Sequence, residues 1–393
     1  MKDKVIISAA FRIAMMLLAG IGVITVLIGI FAEPTKTWTG YLVASYYFFS
    51  LAIGALFFLA IQYVSQSGWS SAFTRVAEAM ITYMPLAALS FFLLWFGISH
   101  LYKWAGEVSS ITEPVIEHKS LYLNVPFFFI RMFIYFAAWV ILCYILRDLS
   151  KKSDLADPND SQGIMRLFAK SELWSKIILF VMAITFSLSS IDWLLSVNPD
   201  WYSTIFALKN LVGAILHGVS VIALIVFILH RLGYYPFLNK FHLHDFARYI
   251  FMFSIIWGYF WFAQFMIIWY GNIPDETIYY YVRWQSGWKI LFFTELGLNW
   301  FIPFMVLLPV KASRNMTIIL LVIIVLIVGQ YVDLYFQVAP VTTGLIKFGW
   351  IEAGIFAGYA GLFSLVVASS LGRINLYPKN HPYLEESLNH SFK

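Results

Sequence analysis

The stretch 251-FMFSIIWGYFWFAQFMIIWYGNIPDE-276 decides the fold class. About twenty apolar and aromatic residues run almost without a break, long enough to cross a bilayer as a helix. Gln264 sits inside the run as an uncharged polar residue. The run closes on Trp269 and Tyr270, side chains that suit a membrane–water interface, and then on Gly271, Asn272 and Pro274. Proline lacks the N–H and the backbone freedom to carry the helix on, so the stretch reads as a membrane helix with a defined exit turn.

The rest of the chain repeats that pattern. Hydrophobic residues make up 61% of the sequence and charged residues 12%, with a mean hydropathy of +0.78, outside the range of soluble domains. The 37 Phe, 23 Tyr and 15 Trp suit helices that face lipid and anchor at its edges. An outer-membrane barrel needs short alternating segments, and these apolar runs are too long and continuous for one. The expectation is an all-α polytopic membrane protein. Its ten spans fall at about 6–30, 39–64, 76–100, 121–148, 174–197, 205–230, 243–271, 286–309, 315–338 and 347–372. The first span has a basic head like a signal peptide. Its apolar run is too long for one and lacks a clear cleavage site, so it reads as a retained helix.

Charge asymmetry orients the set. One side collects Lys2, Lys4, Arg12, Arg75, Arg147, Lys151, Lys152, Arg166, Lys170, Lys176, Arg231, Lys240, Arg248, Lys311, Arg314, Arg373, Lys379 and Lys393. The other has Lys36, Lys103, Lys119, Lys209, Arg283, Lys289 and Lys347. The positive-inside rule then places both termini in the cytoplasm, a result that requires an even number of spans and so supports ten. The longest loop, about 149–173, reads as polar, cytoplasmic and mobile, and 373–393 as a short polar cytoplasmic tail. The chain is a single membrane domain with no room for a soluble one. The basic residues therefore report topology, and nucleic acid is not a partner.

Ionisable groups at a helix centre cost roughly 2.5–3.5 kcal/mol each on insertion scales and should face protein or water. Within the spans these are Glu78, Arg131, Asp192, His217, Glu295, Asp333 and Glu352. Helical spacing lines several up with polar neighbours: Thr185, Ser189, Asp192 and Ser196; Gln330, Asp333 and Gln337; Asn210, His217 and Ser220; Asn124, Arg131 and Tyr135; Glu295 and Asn299. Two readings are open. The set forms a proton or ion path, or its members are helix–helix ties, with Arg131 neutralised by Asp192 or Glu295.

Other chemistries find little support. Cys143 is the only cysteine, which excludes an intrachain disulfide, a CxxCH haem attachment and an iron–sulfur cluster held by this chain alone. His217 and His230 share a span but point to different faces, so a paired-histidine haem is not supported. No phosphate-binding loop or nucleotide fingerprint occurs, and no metal site is expected. Gly354, Gly358 and Gly361, with Gly20 and Ala14, read as close helix packing.

Three stretches in order carry a resemblance. They are GWSSAFTRVAEAM at Gly68 to Met80, SSIDWLLSVNPDWYSTIF at Ser189 to Phe206, and WGYFWFAQFMIIWYGNIPDET at Trp257 to Thr277. With ten spans they resemble the NrfD/PsrC-like membrane subunits of quinol oxidoreductases, among them those of bacterial alternative complex III, over nearly the whole chain. The resemblance implies two four-helix bundles, helices 2–5 and 6–9, flanked by helices 1 and 10, in the bacterial cytoplasmic membrane. It implies a subunit that is not catalytic alone, within a quinol:electron-acceptor oxidoreductase of respiratory electron transport. The expected partners are a homologous membrane subunit, an iron–sulfur subunit, c-type cytochrome subunits, membrane lipids and a terminal oxidase. Haem c and iron–sulfur clusters then sit in those partners, with quinone as the substrate. The homologous membrane subunit is the better candidate for quinol oxidation. His100, the only histidine in the first bundle's spans, is left here as a candidate quinone contact. The proton path would use Asp192, Glu295, Asp333 and Glu352, tuned by Arg131 and His217, with Glu78 near the cytoplasmic surface. A secondary transporter and a purely structural anchor are the alternatives.

Overall fold

A computed structural model describes residues 4–106, 118–285, 287–346 and 348–391. Lys2, Lys347 and Lys393 of the charge tally, and the expected span ends at 286 and 347, lie outside the described residues. The protein is all-helical, with no strand among the described residues. Among the described residues, ten helices are long and apolar enough to span a membrane. They are α1 (Ala9–Ala32), α2 (Pro34–Val64), α3 (Ser71–Leu101), α4 (Val125–Leu155), α5 (Ser161–Val197), α6 (Thr204–Arg231), α7 (Lys240–Gly271), α8 (Trp288–Leu307), α9 (Met316–Thr342) and α10 (Trp350–Leu371). This is a multi-pass membrane architecture.

Helices α2–α5 pack as one bundle and α6–α9 as a second, joined along α2 and α6, while α1 lies on α10 outside both. The buried hub is α2, whose most apolar window is wholly enclosed, whereas that of α1 is only 17% buried. Close approach explains both seams. A Cβ on Gly54 would lie 2.0 Å from the Ala214 carbonyl oxygen, so only glycine lets α2 and α6 meet. A Cβ on Gly22 would lie 2.4 Å from Gly358 Cα, which sets the α1–α10 contact. The expected partner on α1 was Gly20; a Cβ there meets nothing, and Gly22 takes its place.

Most of 149–173 is helical, with only 156–160 left as a turn between helices. Helix α4 runs to Leu155 and α5 starts at Ser161, with Asp160 capping the Gly163 N–H. These polar turns are held by i,i+4 ion pairs, Lys152–Asp148 at 2.6 Å and Lys176–Glu172 at 2.7 Å. The reason sequence reading missed them is that hydropathy marks only the apolar part of a helix. The tail is likewise seated. A short helix, Leu384–Leu388, docks on the start of α3, where Ser387 Oγ donates to the Trp69 carbonyl at 2.7 Å. Ile6 N–H donates to Tyr234 Oη at 2.9 Å, and Val5 packs by Gly372, so both chain ends lie on one face of the protein.

Two prolines shape the second bundle. Pro340 in α9 has no N–H for the Phe336 carbonyl, and Arg283 Nε donates to it at 3.2 Å. Pro303 likewise orphans the Asn299 carbonyl, which accepts from Ser254 Oγ at 2.6 Å. The turn before it, Gly297–Phe301, widens into a π-helix, a distortion frequent at functional sites.

Candidate functional site: a buried charge cluster in the second bundle

The polar groups of α6, α8 and α9 converge towards the end of the bundle opposite the chain termini. Lys209 Nζ donates to Asp333 Oδ1 at 2.7 Å, with both residues buried. Gln337 Nε2 donates to the same oxygen at 2.9 Å, and its amide pairs reciprocally with Asn210 at 3.0 and 3.1 Å. Glu295 faces this pair from α8 and interacts electrostatically with both Lys209 and Asp333. One of its oxygens, Oε1, accepts from Trp261 Nε1 at 2.6 Å. The other, Oε2, has no hydrogen-bond donor among the described residues, nor does Gln264 Oε1 have one. Both residues line a cavity of about 10 Å³ with Lys209, Tyr279 and Tyr280. That volume is close to the size of a single water.

The cluster continues inward. Asn299 lies one turn from Glu295 and its Nδ2 donates to the Glu295 and Gly329 carbonyls at 2.9 and 3.0 Å. Those two bonds fix the amide, so Asn299 Oδ1 is the atom that meets His217 Nε2 at 3.1 Å. The Gly213 carbonyl meets His217 Nδ1 at 2.6 Å. Both ring nitrogens therefore face acceptors. A neutral imidazole has one N–H and can satisfy only one of them, whereas the imidazolium satisfies both. The Asp333 and Glu295 carboxyl groups lie within hydrogen-bonding reach of each other, and Asn299, held on the Glu295 backbone carbonyl, stands between Glu295 and His217.

At the end of the bundle opposite the chain termini the cluster is closed by an amphipathic helix, Pro274–Trp284. Its Arg283 is buried, stacks over the Tyr279 ring at 3.5 Å and donates to the Gln337 carbonyl at 2.7 Å. Tyr279 in turn stacks on Trp201 with ring centres 3.9 Å apart. Lys209 and Arg283 were counted from sequence as loop charges. The signal against that was present for Lys209, because the span at 205–230 already contains it.

The remaining expected residues lie elsewhere. Arg131 grips Asp192 with two bonds, Nε at 2.8 Å and Nη2 at 3.0 Å, and Tyr135 Oη adds a third at 3.0 Å. The guanidinium also covers the Tyr122 ring at 3.8 Å. Nothing in that set is left open, so it ties α4 to α5. Glu78, at the face carrying the termini, accepts from Arg75 Nη1 and Ser150 Oγ, each at 2.7 Å, and Arg75 also reaches Asp154 at 2.6 Å. Glu352 does not join the cluster. Its Oε2 accepts from the Gly349 N–H at 2.9 Å at the start of α10 and lies 3.9 Å from Lys36. His100 is exposed at the end of α3, because its helical position turns it out of the first bundle. Among the described residues no three His, Cys, Asp or Glu side chains gather as metal ligands.

No protein-family model matches the chain, and no curated protein matches it either.

Proposed function

We propose that this chain is an integral membrane subunit of a quinol:electron-acceptor oxidoreductase, of the NrfD/PsrC-like kind and nearest to ActF, the second such subunit of bacterial alternative complex III. In this reading it lies in the bacterial cytoplasmic membrane with both termini inside. It carries no redox centre of its own, anchors partner subunits that hold haem c and iron–sulfur clusters, and conducts protons. The two-bundle architecture and the ordered trio of sequence stretches support the family assignment. The observation that supports proton conduction is Glu295 Oε2, buried, without a donor, and facing a cavity beside the Lys209–Asp333 pair. Such a carboxyl exchanges a proton without breaking an ion pair, and intramembrane carboxylates of this kind mark proton relays.

Purification in mild detergent through a C-terminal tag, followed by a visible redox spectrum and mass spectrometry, tests the assembly. Co-purifying c-type haem and iron–sulfur subunits are expected; a colourless protein without partners would overturn it. Glu295→Gln tests the path. The amide oxygen still accepts from Trp261, so the complex assembles, and protons moved per electron fall. An unchanged proton stoichiometry would remove Glu295 from the path.

One observation favours a second reading, a secondary transporter. The π-helical turn Gly297–Phe301 interrupts α8 beside the cluster, and transporters build midplane sites at discontinuous helices. Proton-driven solute uptake by the chain alone in proteoliposomes would favour it.

A further inference from the structure

A second cavity lies away from the charge cluster. It is a cleft of about 560 Å³ lined by α1, α2, α6 and α10, where α1 and α10 lie against α2. Helix α6 contributes Leu224 and Ile228, α10 contributes Ala360 and Val367, and Phe11 of α1 closes one edge. Along α6 the lining runs from Val221 to Leu232, which at 1.5 Å per residue is roughly 17 Å. That is about one leaflet of a hydrocarbon core of ~30 Å. The cleft reaches the face that carries the described chain ends, where Val5, Leu232 and Leu371 line it.

Polar groups inside it are few. They are Ser8, whose hydroxyl oxygen accepts from the Phe11 N–H at 3.1 Å, Ser364, and Tyr47, whose hydroxyl donates to the Ile327 carbonyl at 3.1 Å. The charge is at the rim. Lys4 precedes the lining residue Val5, Arg12 follows Phe11, Arg231 precedes Leu232, and Arg373 stands two residues past Leu371. All four are exposed, and none has an ion-pair partner among the described residues.

We propose that this cleft is a binding site for an anionic phospholipid, with an acyl chain along α6 and α10 and the phosphate among Lys4, Arg12, Arg231 and Arg373. Basic clusters at the end of an interhelical cleft recognise anionic headgroups in this way. The interior suits an acyl chain better than a quinone head, because its polar lining is confined to the engaged Tyr47 hydroxyl and the hydroxyls of Ser8 and Ser364. Its depth argues against a partner's spanning helix, which needs about twenty residues and both leaflets.

The test is native mass spectrometry of the full-length protein, purified with its partners where these co-purify. It is titrated with phosphatidylglycerol and with phosphatidylethanolamine of the same acyl chains. Wild type is expected to bind phosphatidylglycerol in preference. The double variant Arg231→Gln/Arg373→Gln is expected to weaken that binding about thirtyfold, the effect of two surface cations, with phosphatidylethanolamine unchanged. Ala360→Trp, which fills the cleft, is expected to remove both. Equal affinity for the two lipids in wild type would overturn the proposal. So would phosphatidylglycerol binding unaffected in the arginine variant, or ubiquinone or menaquinone displacing the lipid at equimolar concentration. The arginine substitutions are at exposed positions and decide the question even if Ala360→Trp fails to fold.

Discussion

Lys209 and Asp333, 124 residues apart in the chain, meet at 2.7 Å inside the second bundle, and each is buried. The contact joins α6 to α9 and sets the electrostatic surroundings of Glu295 on α8. Removing one member of a buried ion pair leaves the other uncompensated, which costs about 3–5 kcal/mol. Lys209→Met and Asp333→Leu are each expected to lower stability by that order. The double variant should recover most of the loss, since well-packed apolar replacements are often neutral. Thermal unfolding in detergent checks this. A double variant as unstable as the sum of the two singles would mean that the pair is not coupled as described.

Arg131 and Asp192 make the contrasting case. Arg131 and Tyr135 of α4 donate to the Asp192 carboxylate at both oxygens, and among the described residues the pair has no open carboxylate oxygen beside a cavity. Asp192→Asn is expected to reduce assembled yield through loss of the tie, by an amount comparable to the Lys209 singles. Protons moved per electron in the surviving complex should stay at the wild-type value. A fall in that ratio would place Asp192 on the path after all.

The difference between these two pairs was only partly legible in the sequence. Ten spans could be read because a bilayer demands about twenty apolar residues each time, and that demand leaves a long unbroken signal. Polar stripes such as Gln330, Asp333 and Gln337 could be read from helical spacing, but spacing does not say which stripe faces which. Arg131 had two candidate partners for that reason, and only packing picks Asp192. Lys209 was overlooked because loop charges were tallied by side, and a lysine one turn inside a span looks like an interfacial charge. The helical ends in 149–173 lie outside the apolar signal altogether. They depend on caps and i,i+4 ion pairs, whose energies of about 0.2–0.5 kcal/mol leave weak traces in composition.

Close packing of α1 on α10 depends on Gly22 and Gly358. Gly358→Leu forces the two backbones apart and is expected to cost about 1–3 kcal/mol, the range for overpacking. Gly20→Leu, where an added Cβ meets nothing, is expected to be near neutral. Hydrogen exchange should rise in α1 and α10 for the first variant alone, with α6–α9 unchanged. Equal effects at Gly20 and Gly358 would show that the seam lies elsewhere.

His381 in the tail gives a pH dependence with a definite sign. It packs edge-on to Phe168 with ring centres 5.5 Å apart, and its Nδ1 accepts from the Tyr383 N–H at 3.2 Å. Burial, with Arg75 nearby, pushes its pKa down from 6.5 to about 4. The docked tail therefore binds fewer protons than the released tail between those values, and docking weakens as pH falls through that window. It is fully present above about pH 6.5 and lost towards pH 4. Protonation also removes the acceptor that Tyr383 uses. Limited proteolysis of residues 378–391 is expected to accelerate from pH 7 to pH 4.5, while cleavage elsewhere does not. His381→Phe keeps an aromatic ring beside Phe168 and should flatten that profile, whereas the His390–Asp245 contact at 2.6 Å is left intact. If the phenylalanine variant releases its tail over the same pH range as wild type, His381 is not the group that titrates.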